Sequence, residues 1–114
     1  MSRELQEGRE QQEPMNHGAR ESTITRNILR ALRGVPGIVV RKRHGSVWAT
    51  SGDPDLFGCY DGRHFEIEVK RPGAKPTPRQ QQRLKEWALA GARVGVAHSV
   101  EEALDIVGAS RRSR

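Results

Sequence analysis

Residues 52–73 read GDPDLFGCYDGRHFEIEVKRPG, and the fold turns on how this stretch divides. Asp61 and Gly62 form the dipeptide that a two-residue hairpin turn prefers, since both central positions of such a turn take positive φ. The dipeptide separates PDLFGCY from RHFEIEVKR, and the second arm alternates cleanly. Phe65, Ile67 and Val69 fall on one face, and Glu66, Glu68 and Lys70 on the other. Two paired strands are expected, with acids and a lysine on a face that a plain core would keep apolar.

Upstream, GIVVRKRH (37–44) reads as a β-branched strand and SVWAT (46–50) as a second short extended piece. Before them Ile24, Ile28, Leu29 and Leu32 recur at helical spacing, and Gly34 followed by Pro36 supplies a stop, so a helix is expected over 21–33. Downstream, PGAKPTP breaks the chain, and Thr77 with Pro78 starts a helix that Gly91 closes. ARVGVAH is a core strand, and Ser99 with Glu102 three residues on has the spacing of a capping box for a last helix. The order is helix, three or four strands, helix, strand, helix: an α/β domain with a mixed central sheet flanked by helices. Residues 1–19, rich in Glu, Gln and Arg, are expected to be a mobile polar arm. Residues 20–108 form the domain and 109–114 a basic tail.

A chain of 114 residues is sized for one core. Its net charge is +6, and because residues 1–20 hold three Arg against four Glu, the folded part is more basic still. A basic body attracts polyanions, so nucleic acid is the first partner to consider. With two Trp, two Phe and one Tyr, all set among apolar neighbours, a base-stacking platform is not expected, and backbone contact is. No apolar run approaches the roughly 18 residues of a membrane span. The polar start MSRELQEGREQQEP lacks the apolar region of a signal peptide, so a cytoplasmic location and no membrane partner are expected. The single cysteine, Cys59, excludes an internal disulfide or zinc cluster and reads as a small buried side chain.

Glu68 and Lys70 lie on one strand face about 7 Å apart along the chain, and the other hairpin arm can bring Asp55 alongside. Two bare carboxylates 4 Å apart repel by about 4 kcal/mol at an effective dielectric near 20, so they share a proton or capture a cation. An all-oxygen site favours a hard ion, Mg²⁺ with Mn²⁺ as substitute, which can neutralise charge on a phosphodiester. Lys70 would orient or deprotonate a water, or stabilise the charge on phosphorus; the residues leave these open. Taken alone, a Glu and a Lys two apart on a strand are a surface pair worth about 0–1 kcal/mol.

Pro54-Asp55 followed by Glu68-Val69-Lys70 resembles the bipartite motif of the PD-(D/E)XK nucleases. GDPDLFGCYDGRHFEIEVKRPG, then PTPRQ, then AGARVGVAHSVEEAL, resembles the VRR-NUC branch, in particular its small stand-alone phage and bacterial members, over roughly residues 21–107. The resemblance implies a helix-βββ-helix-β core and a Mg²⁺-dependent DNA endonuclease. By position it makes Asp55 and Glu68 metal-binding carboxylates, the backbone carbonyl of Val69 a further ligand, and Lys70 the catalytic lysine. Glu21 corresponds to an additional acid near the metal, and Gln80 to a helix glutamine whose amide would fix Lys70 or the attacking water. It also implies a homodimer acting on branched DNA in the manner of a Holliday-junction resolvase. A nonspecific or restriction-like nuclease and a catalytically silent DNA-binding module are the rival readings.

Asp53 either joins the metal shell or holds the turn, and His44 touches DNA phosphate, approaches the metal, or simply packs. Arg41, Lys42 and Arg43 form a basic run expected to border the cleft together with Arg63, Arg71, Lys75 and Arg79 and to contact phosphate.

Overall fold

The computed structural model describes residues 20–110; the N-terminal arm and the last four residues of the tail lie outside the described part. The chain runs through α1 (Glu21–Arg33), β1 (Val39–Lys42), β2 (Leu56–Tyr60), β3 (Arg63–Val69), α2 (Pro78–Leu89), β4 (Arg93–Ala97) and α3 (Val100–Val107). The four strands lie in sequence order in one mixed sheet. β1 and β2 pair antiparallel, as do β2 and β3, whereas β4 runs parallel to β3. A parallel neighbour requires a crossover, and α2 supplies it. This is the α/β architecture expected from the chain.

The hairpin turn forms at Asp61 and Gly62, whose φ values of 55° and 78° are both positive. It sets the register Tyr60 to Arg63 through Leu56 to Ile67, which puts β3 between β2 and β4 as an inner strand. On one face of β3, Phe65, Ile67 and Val69 are sealed against Ile24, Ile28, Leu29 and Leu32 of α1 and Ala103 and Val107 of α3. Fully burying side chains of this size stabilises the fold by about 1.5–3 kcal/mol each. Gly58 opposes Phe65, and a Cβ there would run into the Val39 carbonyl and the Phe65 ring. Only glycine lets β1 and β2 close over the aromatic.

The second face of β3 is the unusual one. Glu66 and Glu68 are as buried as their apolar neighbours, because an inner strand is screened on both sides. Two helix starts settle differently. Thr77 caps α2 in a complete capping box: its hydroxyl accepts from the Gln80 N–H, and Gln80 Oε1 accepts from the Thr77 N–H. In α3 the box expected from Ser99 and Glu102 is half made. Ser99 Oγ accepts from the Glu102 N–H, but the Glu102 carboxylate turns to the N–H and ring of His98.

Three local expectations are corrected. Residues 46–50 form turns rather than an extended piece, with the Ala49 N–H donating to the Ser46 carbonyl. Trp48 stands 91% exposed at that turn instead of among apolar neighbours. Cys59 is exposed, since alternation turns it away from the face that α1 and α3 cover. No helix among the described residues is long and apolar enough to cross a membrane.

Candidate active site

Because β3 and β4 run parallel and β2 begins where β3 ends, three strand ends meet at one edge of the sheet. Asp55 immediately precedes β2, Glu68 and Val69 close β3, and Lys70 follows. Asp55 is locked in place by both its ends. Its carbonyl accepts from the Arg43 N–H at 2.7 Å, and its Oδ2 accepts from the Val69 N–H at 2.8 Å. The hairpin thereby ties its two arms together at the carboxylate itself. Lys70 is anchored through its N–H to the Ala97 carbonyl, which leaves its side chain mostly covered, with Nζ 3.8 Å from Glu68 Oε2.

Glu68 is the least comfortable group among the described residues. It is 2% exposed, and its Oε1 is buried with no hydrogen-bond partner. Burial pushes its carboxyl up to about 8, aided by the charge of Asp55 and a hydrogen bond between the two carboxyl groups; Lys70 works against the rise and Glu21 adds to it. An orphaned buried carboxylate oxygen costs about 1–3 kcal/mol or more unless something polar reaches it. The donor set available is all oxygen and suits a hard divalent cation. Among the described residues no three His, Cys, Asp or Glu side chains converge as a metal cluster, so an ion here would rely on two carboxylates, backbone and solvent or substrate oxygens.

Glu21, in the first turn of α1, reaches the same edge: its Oε2 lies 3.5 Å from the Arg71 N–H, and its charge is felt by Glu68. Gln80 is committed through its Oε1 to the α2 cap, leaving its amide nitrogen as the group able to serve a neighbour. His44 is exposed and, with Asp53 and Asp55, lines an open cleft of about 370 Å³ formed by residues 43–55. Asp53 takes a structural part, its Oδ1 accepting from Trp87 Nε1 at 3.2 Å and so tying the loop to α2.

The basic residues divide. Arg41, Lys42, Arg71, Lys75 and Arg79 are exposed. Arg43, expected on phosphate, is turned inward. Its guanidinium donates twice to Glu66, at 2.7 and 3.2 Å, and once to the Pro54 carbonyl, and lies 4.5 Å from the Phe57 ring centroid. Arg63, expected at the cleft border, sits at the opposite end of β3, where its Nε donates to the Gly91 carbonyl. Glu66 also meets His64 Nε2 at 2.6 Å, and the His64 ring stacks on Trp87. This Arg43-Glu66-His64 cluster was missed in reading the sequence. The available signal was that Glu66 shares Glu68's face of an inner strand, where an acid needs cations.

No protein-family model and no curated protein matches the sequence. Solved structures do match. One described as a VRR_NUC domain is 27% identical and covers 76% of this chain and 92% of its own, with a TM-score of 0.63. A second, described as a VRR_NUC domain protein, is 16% identical and shares the fold over 85% of this chain and 92% of its own, with a TM-score of 0.67.

Proposed function

We propose that this chain, which shares its fold with solved VRR_NUC domain proteins, is a metal-dependent DNA endonuclease with its site at Asp55, Glu68 and Lys70. The observation that carries the reading is the buried Glu68 Oε1 without a hydrogen-bond partner, on a carboxyl that feels the charge of Asp55 and has Lys70 Nζ 3.8 Å from its Oε2. Asp55, Glu68 and the Val69 carbonyl would hold Mg²⁺ or Mn²⁺, with Glu21 nearby. When bound, such an ion supplies Lewis-acid neutralisation of the phosphodiester charge. Asp55 is prevented from swinging away by the Val69 N–H, so the carboxylate pair is preorganised. Lys70 stands beside Glu68, where its ammonium could hold an attacking water or the charge that builds on phosphorus as a water O–P bond forms and the P–O ester bond breaks. The Gln80 amide nitrogen is the neighbour suited to fixing that water. Exposed Arg41, Lys42, His44, Arg71, Lys75 and Arg79 would contact phosphates.

Branched DNA is the preferred substrate in this reading, cut by a homodimer, because one small core supplies one site and paired incisions need two related by a two-fold axis. The test compares a labelled four-way junction, linear duplex and single strand at low salt with Mg²⁺, Mn²⁺ or EDTA. Metal-dependent cutting of the junction, abolished by Lys70→Ala with binding retained, is the expected result. Equal cutting of linear duplex would favour the restriction-like alternative. Cleavage by Lys70→Ala at the wild-type rate, or in EDTA, would remove the mechanism. Binding without cleavage in any lane would make the chain a silent DNA-binding module.

A further inference from the structure

We propose that the groove between α1 and β1 is a second DNA-backbone site, which grips the strand after it leaves the catalytic edge. The inference rests on the nuclease reading above and adds to it where the substrate runs. Arg26, Arg30 and Arg33 of α1 and Lys42 of β1 line a groove of about 550 Å³ whose floor includes Thr25 and Leu29. All four cations are exposed, and none makes an ion pair or hydrogen bond with another described side chain.

The ordinary explanation covers only part of this. Arg30 and Arg33 lie in the last turn of α1, where cations offset the helix dipole. Arg26 is not in that turn, and Lys42 comes from another element. Arg26 and Arg30 are four apart, and like charges at that spacing weaken a helix by about 0.2–0.5 kcal/mol. The groove thus gathers like charge against local preference, which an anion would relieve.

A DNA strand fits better than a small anion. Arg26 to Arg33 spans seven residues, about 10 Å at 1.5 Å per residue, longer than a single tetrahedral anion and enough to reach more than one phosphate of a strand. The groove's lining also abuts, along the chain, residues of the catalytic edge. One end is Ser22, next to Glu21, and its other wall ends at Lys42, next to Arg43, whose N–H binds the Asp55 carbonyl. In this proposal a backbone engaged at Asp55 and Glu68 continues past the strand ends onto α1. Arg71, Lys75 and Arg79 belong to the segment after β3 and the start of α2, a different part of the chain, so the duplex is held by two separate basic sets.

The experiment is the salt dependence of binding to a 30-base-pair duplex and to a four-way junction, measured in EDTA. The proteins compared are wild type, Arg26→Ala/Arg30→Ala/Arg33→Ala, the same triple to Gln, and Lys85→Ala as a charge control on the exposed side of α2. Thermal melts establish that each variant folds; exposed alanines favour a helix. Loss of three phosphate contacts should flatten the plot of log K against log salt by about 2.7, at about 0.9 per contact, in both triple variants and not in Lys85→Ala. A slope equal to wild type in both triples, or a change no larger than that of Lys85→Ala, overturns the groove and leaves the nuclease reading intact. A triple variant whose sedimentation shifts toward monomer while its slope is unchanged makes the groove a protein interface and also overturns it. Failure of wild type to bind DNA would overturn this inference and the nuclease reading together.

Discussion

Glu66 and Glu68 project from the same face of β3 and are equally sealed from water, yet Glu66 is saturated with partners while Glu68 keeps an oxygen unsatisfied. The difference separates a structural acid from the one the proposed site uses. Removing Arg43 would strand a buried carboxylate, so Arg43→Ala should destabilise the fold by about 3 kcal/mol, read from denaturant midpoints, with Arg43→Lys recovering only part because it cannot make the paired hydrogen bonds. Glu68 should behave in the opposite way. Its folded carboxyl titrates near 8, above the ordinary carboxylate range of the unfolded chain, so across that window the folded state holds a proton that the unfolded state has lost. Metal-free stability therefore falls as pH rises from about 4.5 to 8 and levels off beyond. Glu68→Gln should abolish this slope and raise Tm at pH 8 by about 4–8 °C for each kcal/mol of strain relieved. A wild-type Tm that climbs across the same window would reverse the assignment.

At the scale of elements, the α2 start joins two demands in one side chain. Gln80 completes the Thr77 capping box with its oxygen and, in the proposed site, offers its nitrogen to chemistry. Thr77→Ala should cost about 1 kcal/mol through the lost cap. Gln80→Glu keeps an acceptor at the third helical position and should leave stability within about 0.5 kcal/mol of wild type while lowering cleavage. A fall in Tm equal to that of Thr77→Ala, with cleavage unchanged, would make Gln80 a cap and nothing more. The loop from 43 to 55 is held at its base by Asp53 on Trp87 and by Arg83 Nε on the Ser51 carbonyl, so its cleft is a fixed wall beside the site.

For the molecule as a whole, the sheet gathers the candidate catalytic groups at one end. Lys75 follows the end of β3 and is exposed, whereas Arg63 begins β3 at the hairpin end. Seven strand residues separate the two ends of β3, roughly 20 Å at about 3.3 Å per residue, beyond a Debye length at 0.1 M salt. Lys75→Ala should reduce the salt slope of DNA binding by about 0.9 and Arg63→Ala should leave it unchanged. Equal effects from both would mean that binding follows net charge and not the placement of cations around the strand ends.

Periodicity and turn chemistry are local, and they sufficed for what is local here. The helix over 21–33, the Asp61-Gly62 turn, the alternation from Phe65 to Lys70 and the Thr77 start all follow from residues within a few positions of one another, and with them the α/β order. The spacing of Pro54-Asp55 and Glu68-Val69-Lys70 also sufficed to place two carboxylates and a lysine at one strand end, because a two-residue turn leaves a hairpin little freedom of register. Which polar groups were satisfied was decided only in three dimensions. Arg43 is separated by 23 residues from Glu66, and Asp53 by 34 from Trp87, so no window of sequence shows that the first cation is spent on a buried acid or that the second acid is spent on an indole. Burial of both faces of β3 depends on β4 and α2 arriving from later in the chain. That burial, set by tertiary packing, is what turns Glu68 from a surface acid into the strained carboxyl at the centre of the proposed site.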